Sequence, residues 1–176
     1  MWRRATLLPG KSKSMPAVAD WHKYVIFPEG RNQAFLESWG SLIGDGYQLL
    51  FYNLFGDAFL RDTSDRLFVL DVGLGQLVDT ECEASEIDQL LSEDETREQW
   101  LQCKLVDQLS RSGKRLRKKE CYGFSKCPPV LGGEFEPDNL EPILLEVHHS
   151  LLSQLHEQAR NTPEGTKIEG LEIEEE

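Results

Sequence analysis

Apolar residues in the stretch 31–43 fall at Ala34, Phe35, Trp39, Leu42 and Ile43. Their spacings of one, four, three and one trace a helical face, and Gly44 with Gly46 supplies the stop. Before it, residues 21–27 alternate loosely and predict a short extended segment ending at Pro28. After it the period changes. Residues 47–60 give the strongest strand signal, divided into 47–54, a bend at Phe55, Gly56 and Asp57, and 58–60. Asp62, Thr63, Ser64 and Asp65 carry turn chemistry before another strand at 66–72, and residues 76–80 complete a meander. Such short connections favour antiparallel pairing.

A helix at 84–91 and a longer one at 94–112 follow. The longer one has Trp100, Leu101, Leu105, Val106 and Leu109 on one face. Glu95 and Glu98 near its start, with Arg111 and Gly113 at its end, agree with that assignment. Residues 121–139 hold aromatics, Pro128-Pro129 and Gly132-Gly133, which predict an ordered, non-repetitive loop. A strand at 142–147 and a helix at 149–160 close the pattern. Helix, short strands, two helices, loop, strand, helix is an α+β order: a small, largely antiparallel sheet with helices packed on it. The expected organisation is a flexible leader (1–20), one domain (21–162) and an acidic disordered tail (163–176).

Composition narrows the class. With 176 residues, 39% hydrophobic and 28% charged, the chain suits one sizeable soluble core. Its longest apolar runs, 47–55 and 67–70, fall far short of a membrane span. No secretory apolar region follows Arg3 and Arg4, and Met15 is an alternative start. Without an export signal, Cys82, Cys103, Cys121 and Cys127 are expected as reduced thiols and the cytoplasm as the compartment. The net charge of −12 repels nucleic acid and anionic membranes, and suits a basic partner.

Catalytic patterns are weak. His148, His149 and His156 give nitrogen ligands with Glu146 as the nearest carboxylate, which sits in the preceding strand pattern, a poor metal set. Gly73 and Gly75 lack the third glycine of a dinucleotide loop, and no nucleophile elbow is present. Asp57, Asp62, Asp65 and Asp71 lie around strands and turns, where turn chemistry accounts for Asp62 and Asp65. The expectation is a protein without catalytic residues, cofactor or metal.

Charge is unevenly placed. Arg111, Lys114, Arg115, Arg117, Lys118 and Lys119 form a basic run, read as a solvated helix end that complements its dipole. A nucleic-acid patch there is opposed by the overall charge. An acidic belt precedes it, from which Glu81, Glu83, Glu86, Asp88, Glu93, Asp94 and Glu95 are the candidate partner-binding residues. Like charges so close repel one another, and a cationic partner would relieve that repulsion.

Several motifs together resemble one bacterial family. They are Trp39, the run from Phe55 to Leu60, Leu70-Asp71 followed by Gly73, Trp100, Tyr122-Gly123-Phe124, the segment 128–133, Asn139, and the closing helix around Gln154 to Gln158. Over residues 31–160 the chain is similar to the C-terminal domain of type VI secretion DNase-immunity proteins, a domain found with GAD-like domains. The family's fuller members carry such a domain upstream, for which this chain has little room. The resemblance implies a cytoplasmic, stoichiometric inhibitor of a cognate effector toxin, a basic nuclease, with no nucleic-acid or membrane partner. The alternative is a non-catalytic regulatory or ligand-binding module of the same fold.

Overall fold

Strands that are apolar on both faces need a cover on both. In the computed structural model, which describes residues 20–28, 34–127 and 132–162, five strands form an antiparallel meander in chain order. They are β1 (Val25–Ile26), β2 (Gln48–Asn53), β3 (Ala58–Arg61), β4 (Arg66–Asp71) and β5 (Gln76–Glu83). β3 shows the rule directly. Ala58 and Leu60 enter one core and Phe59 the other, all fully buried, because side chains two apart share a face.

The core around Phe59 also takes Phe51, Leu67 and Val69 from the sheet. Leu90, Leu91, Trp100, Leu101, Val106 and Leu109 cover it, from α3 (Ile87–Ser92), α4 (Asp94–Leu101) and α5 (Cys103–Arg111). Phe51 stacks on Phe59 with centroids 4.6 Å apart, and Trp100 lies 5.8 Å from Phe59. The opposite core joins Leu49, Tyr52, Leu60 and Leu70 to α1 (Ala34–Glu37), α2 (Gly40–Ile43) and α6 (Leu145–Arg160). The result is three layers, helix on sheet on helix, within the α+β class the pattern predicts.

β6 (Glu120–Phe124) and β7 (Leu140–Leu144) pair antiparallel as a separate two-stranded sheet. Tyr122 N donates to Leu54 O at 2.8 Å, which fastens β6 to the end of β2. Its hydroxyl donates to Lys114 O at 2.7 Å.

The structure departs locally from the predicted elements. Residues 21–24 form a 3-10 turn, so only Val25 and Ile26 are extended. The described part of 31–43 is two short helices rather than one. The loop predicted at 121–139 opens as strand β6, while residues 128–131 of it lie outside the described residues, as do positions 1–19 of the leader and the tail from 163. β7 ends at Leu144 and α6 begins at Leu145, so His148 lies inside the helix. Pro142 is tolerated in β7 because a two-stranded sheet has only edges.

The long helix predicted at 94–112 is broken at Gln102, whose φ of 47° and ψ of 48° are left-handed. In an unbroken helix Lys104 N would bond to Trp100 O. Here Trp100 O instead accepts from Asn53 Nδ2 at 3.2 Å, and Lys104 N turns to Glu98 Oε2 at 3.3 Å. A tertiary bond has taken the carbonyl that helix continuity required. Glycine adopts this conformation without the Cβ penalty, so Gln102→Gly should keep the fold and raise stability by up to about 1 kcal/mol. Urea unfolding reads this directly, and a loss of stability would show that the Gln102 side chain holds the junction.

Candidate partner interface and the buried polar cluster

The acidic belt follows a continuous ribbon of structure: the end of β5, a 3-10 turn at Ala84–Glu86, α3, and the first turn of α4. Glu81, Glu83, Glu86, Asp88, Glu93, Asp94 and Glu95 are all exposed. Arg66 pairs with Glu83 and Phe68 with Asp79, so three residues of β5 bulge opposite one of β4. Glu81 sits in that bulge at φ 62°. Thr80 Oγ1 donates to Leu67 O at 2.7 Å, supplying a bond the interrupted ladder lacks.

Part of the belt serves the local fold. Glu86 accepts from Glu83 N at 3.4 Å, Glu93 accepts from the Thr96 hydroxyl at 3.4 Å, and Asp94 is paired with Arg97. Arg97 also donates to Leu91 O at 3.1 Å and Ser92 O at 3.3 Å, closing the end of α3. Asp88, Asp94 and Glu95 stand in first helical turns, where the dipole favours negative charge. Asp79 is held by Arg66 through two bonds of 2.8 and 2.7 Å.

The basic run has local partners of its own. Lys114 Nζ donates to Pro137 O and Leu140 O, each at 2.8 Å, and lies 2.7 Å from the Glu141 carboxylate. Arg111 lies 3.9 Å from Asp107. Neither of these ion pairs reaches the candidate belt residues.

The three histidines of α6 are interior groups. His149 Nδ1 accepts from Trp39 Nε1 at 3.1 Å, and its Nε2 donates to Gly56 O at 2.9 Å, which fixes a neutral tautomer. His156 Nε2 lies 3.1 Å from Val72 O, and a carbonyl can only accept. That assignment matters because Cys127 Sγ is 4.0 Å from the same Nε2. A nitrogen already carrying its proton cannot take one from the thiol. All four cysteines are buried, and burial pushes the thiols of Cys82, Cys103 and Cys121 up, Cys103 to about 11. Such thiols are poor nucleophiles. No group of three or more His, Cys, Asp or Glu side chains among the described residues is arranged to hold a metal.

Asn53 organises a second polar centre. Its Oδ1 accepts from Phe55 N at 2.9 Å and Asp57 N at 3.0 Å. Its Nδ2 donates to Asp57 Oδ2 at 2.9 Å as well as to Trp100 O. Asp57 Oδ1 accepts from Val72 N at 3.1 Å. Desolvation and the neighbouring Asp71 raise the Asp57 carboxyl to about 7. Asp62 keeps its predicted turn role, accepting from Ser64 N and Arg66 N at 2.8 Å each. Pattern reading singled out Asp57 but not Asn53. The available signal was an asparagine two residues before a Phe-Gly-Asp bend, where Asn can cap its own turn.

The model of the family described as "T6SS immunity protein Tdi1, C-terminal" matches residues 83–156, from the last residue of β5 to His156 in α6. This is the family its motifs resemble, and the match spans under half of the chain. Trp39, the Phe55–Leu60 run and Glu81 lie outside it. No curated protein matches the chain. A crystal structure of Atu4351 from Agrobacterium tumefaciens shares the fold, with a TM-score of 0.55 at 12% identity over 74% of this chain. The chain spans 66% of that protein's length. Among the described residues, no helix is long and apolar enough to cross a membrane.

The buried rings set the pH response. Burial lowers His148 to about 4 and His149 to about 3, the latter helped by His148, and lowers His156 as well. Their ordinary value is 6.5, so between the two values the unfolded chain binds more protons. Their contribution is full above pH 6.5 and is lost as pH falls toward 4, on the order of 3 kcal/mol for each of His148 and His149. Asp57 has the opposite sign: its native value is raised from 3.8 to about 7, so its contribution fades as pH rises through that range. Three imidazoles outweigh one carboxyl. The melting temperature should climb from pH 4.5 to 6.5, and a flat or falling profile would contradict the neutral assignment.

Proposed function

We propose that this protein is a cytoplasmic, non-catalytic immunity protein of a type VI secretion system that binds and neutralises a cognate effector toxin, a basic nuclease acting on DNA. One observation carries the reading: the matched immunity segment encloses Glu83, Glu86, Asp88, Glu93, Asp94 and Glu95, six of the seven candidate belt residues. A nuclease holds DNA through cationic side chains. An exposed carboxylate ribbon on a protein of net charge −12 offers the same surface an alternative anion. Electrostatic attraction then speeds encounter and fixes orientation. The interior location of every described histidine of α6 supports inhibition rather than chemistry as the means.

The test is charge reversal of the ribbon with Glu86, Asp88, Glu93 and Glu95 each changed to Lys. Binding is measured by titration calorimetry against the product of the adjacent reading frame, which this reading expects to be a basic nuclease. Affinity at low salt should fall by about tenfold or more, chiefly through slower association. The melting temperature should fall, because Glu86 and Glu93 accept local hydrogen bonds and Asp88 and Glu95 stand in first helical turns, so affinities are compared well below it. An unchanged affinity at low salt would remove the ribbon as the interface.

A further inference from the structure

We propose that a cavity between β1–β2 and the start of α6 binds a small carboxylic acid whose aromatic body bears one hydrogen-bonding group. The cavity has a volume of about 320 Å³, within the range of small-molecule sites. Ile26, Pro28, Phe35 and Leu145 give it apolar walls. Phe27 and Leu144 line it too, yet are 49% and 51% exposed, so two large apolar side chains stand at its mouth in contact with water. Exposed apolar surface beside a cavity marks a place that something covers.

The polar groups define the ligand. Tyr52 lines the cavity and is only 1% exposed, and its hydroxyl has no hydrogen-bond partner. An unsatisfied buried hydroxyl costs roughly 1–3 kcal/mol, and a ligand that bonds to it recovers that cost on binding. Burial also holds the phenol above its ordinary range, so it remains a donor. Lys118 and Lys119 stand on the rim, cations in a chain of net charge −12. The first turn of the 16-residue α6 borders the same rim; Lys119 O takes its first amide, Leu145 N, at 2.9 Å, and no side chain caps the turn, so the positive end of its dipole adds to the lysines. Glu146 lies on that rim as well. It limits the favourable charge to one carboxylate and disfavours a diacid. The phenyl rings of Phe27, Phe35 and Tyr52 favour an aromatic body. The site faces the core opposite the one that α3 and α4 cover, so it is distinct from the acidic ribbon.

Three probes separate the terms: 4-hydroxyphenylacetate, phenylacetate, which lacks the hydroxyl, and 4-hydroxyphenylacetamide, which lacks the charge. Each is titrated into the isotopically labelled full chain and followed by amide chemical shifts. The hydroxy acid should shift residues 26–28, 35, 52, 118–119 and 144–146, and bind about tenfold more tightly than either analogue. Tyr52→Phe should abolish the advantage over phenylacetate without lowering the melting temperature, since it removes an unsatisfied group. Lys118→Glu with Lys119→Glu should abolish the advantage over the amide. Equal affinities for all three probes, shifts centred elsewhere, or no saturable shift at millimolar concentration would each overturn the proposal. So would a Tyr52→Phe protein that keeps full preference for the hydroxy acid.

Discussion

The bend from Asn53 to Asp57 is the point through which every layer is tied. Asn53 makes four hydrogen bonds with one amide, two inside the bend to main-chain N–H groups, one to Asp57 and one to Trp100 of α4. The backbone of the same bend accepts from Tyr122 of β6 through Leu54 O and from His149 of α6 through Gly56 O. Asp57 reaches Val72 beyond β4. Gly56 sits at φ 91°, and a Cβ there would come within 2.8 Å of His148, so glycine is required on two counts. Because these groups are buried, losing one partner strands several others, and the cost exceeds that of a single bond.

This knot explains which parts of the fold were legible in the sequence. The meander was readable because β2, β3 and β4 are short continuous apolar runs with turn residues between them. The acidic ribbon was readable because its elements are consecutive in the chain. The break at Gln102 was not, since the apolar spacing on either side fits one helix. Its cause is a hydrogen bond from a residue 47 positions or more away in β2. The burial of the histidines was likewise hidden, because His149 depends on Trp39, 110 residues earlier, for the bond that makes a buried neutral ring acceptable. Local pattern finds elements, whereas these features are agreements between elements.

The same distinction applies to charge. Counting carboxylates from 81 to 95 gives one continuous stripe, but the structure divides their labour. Glu86, Glu93 and Asp94 answer to neighbours in the turn and helices, while all seven side chains still reach solvent. Local bonds of this kind narrow the rotamers of the carboxylates before any partner arrives, which reduces the entropy lost in forming a complex.

The bulge in β5 has a consequence for how a partner can approach. β5 is one of the two outer strands of the meander, and an outer strand ordinarily offers its unpaired main chain as a template for strand addition. Here the extra residues around Glu81 break the regular ladder, and Asp79, Glu81 and Glu83 place charge beside it. A visiting chain cannot extend this sheet in register from that side. A partner meeting this margin would meet side chains rather than a free strand edge, and copies of the protein are kept from zipping together along it.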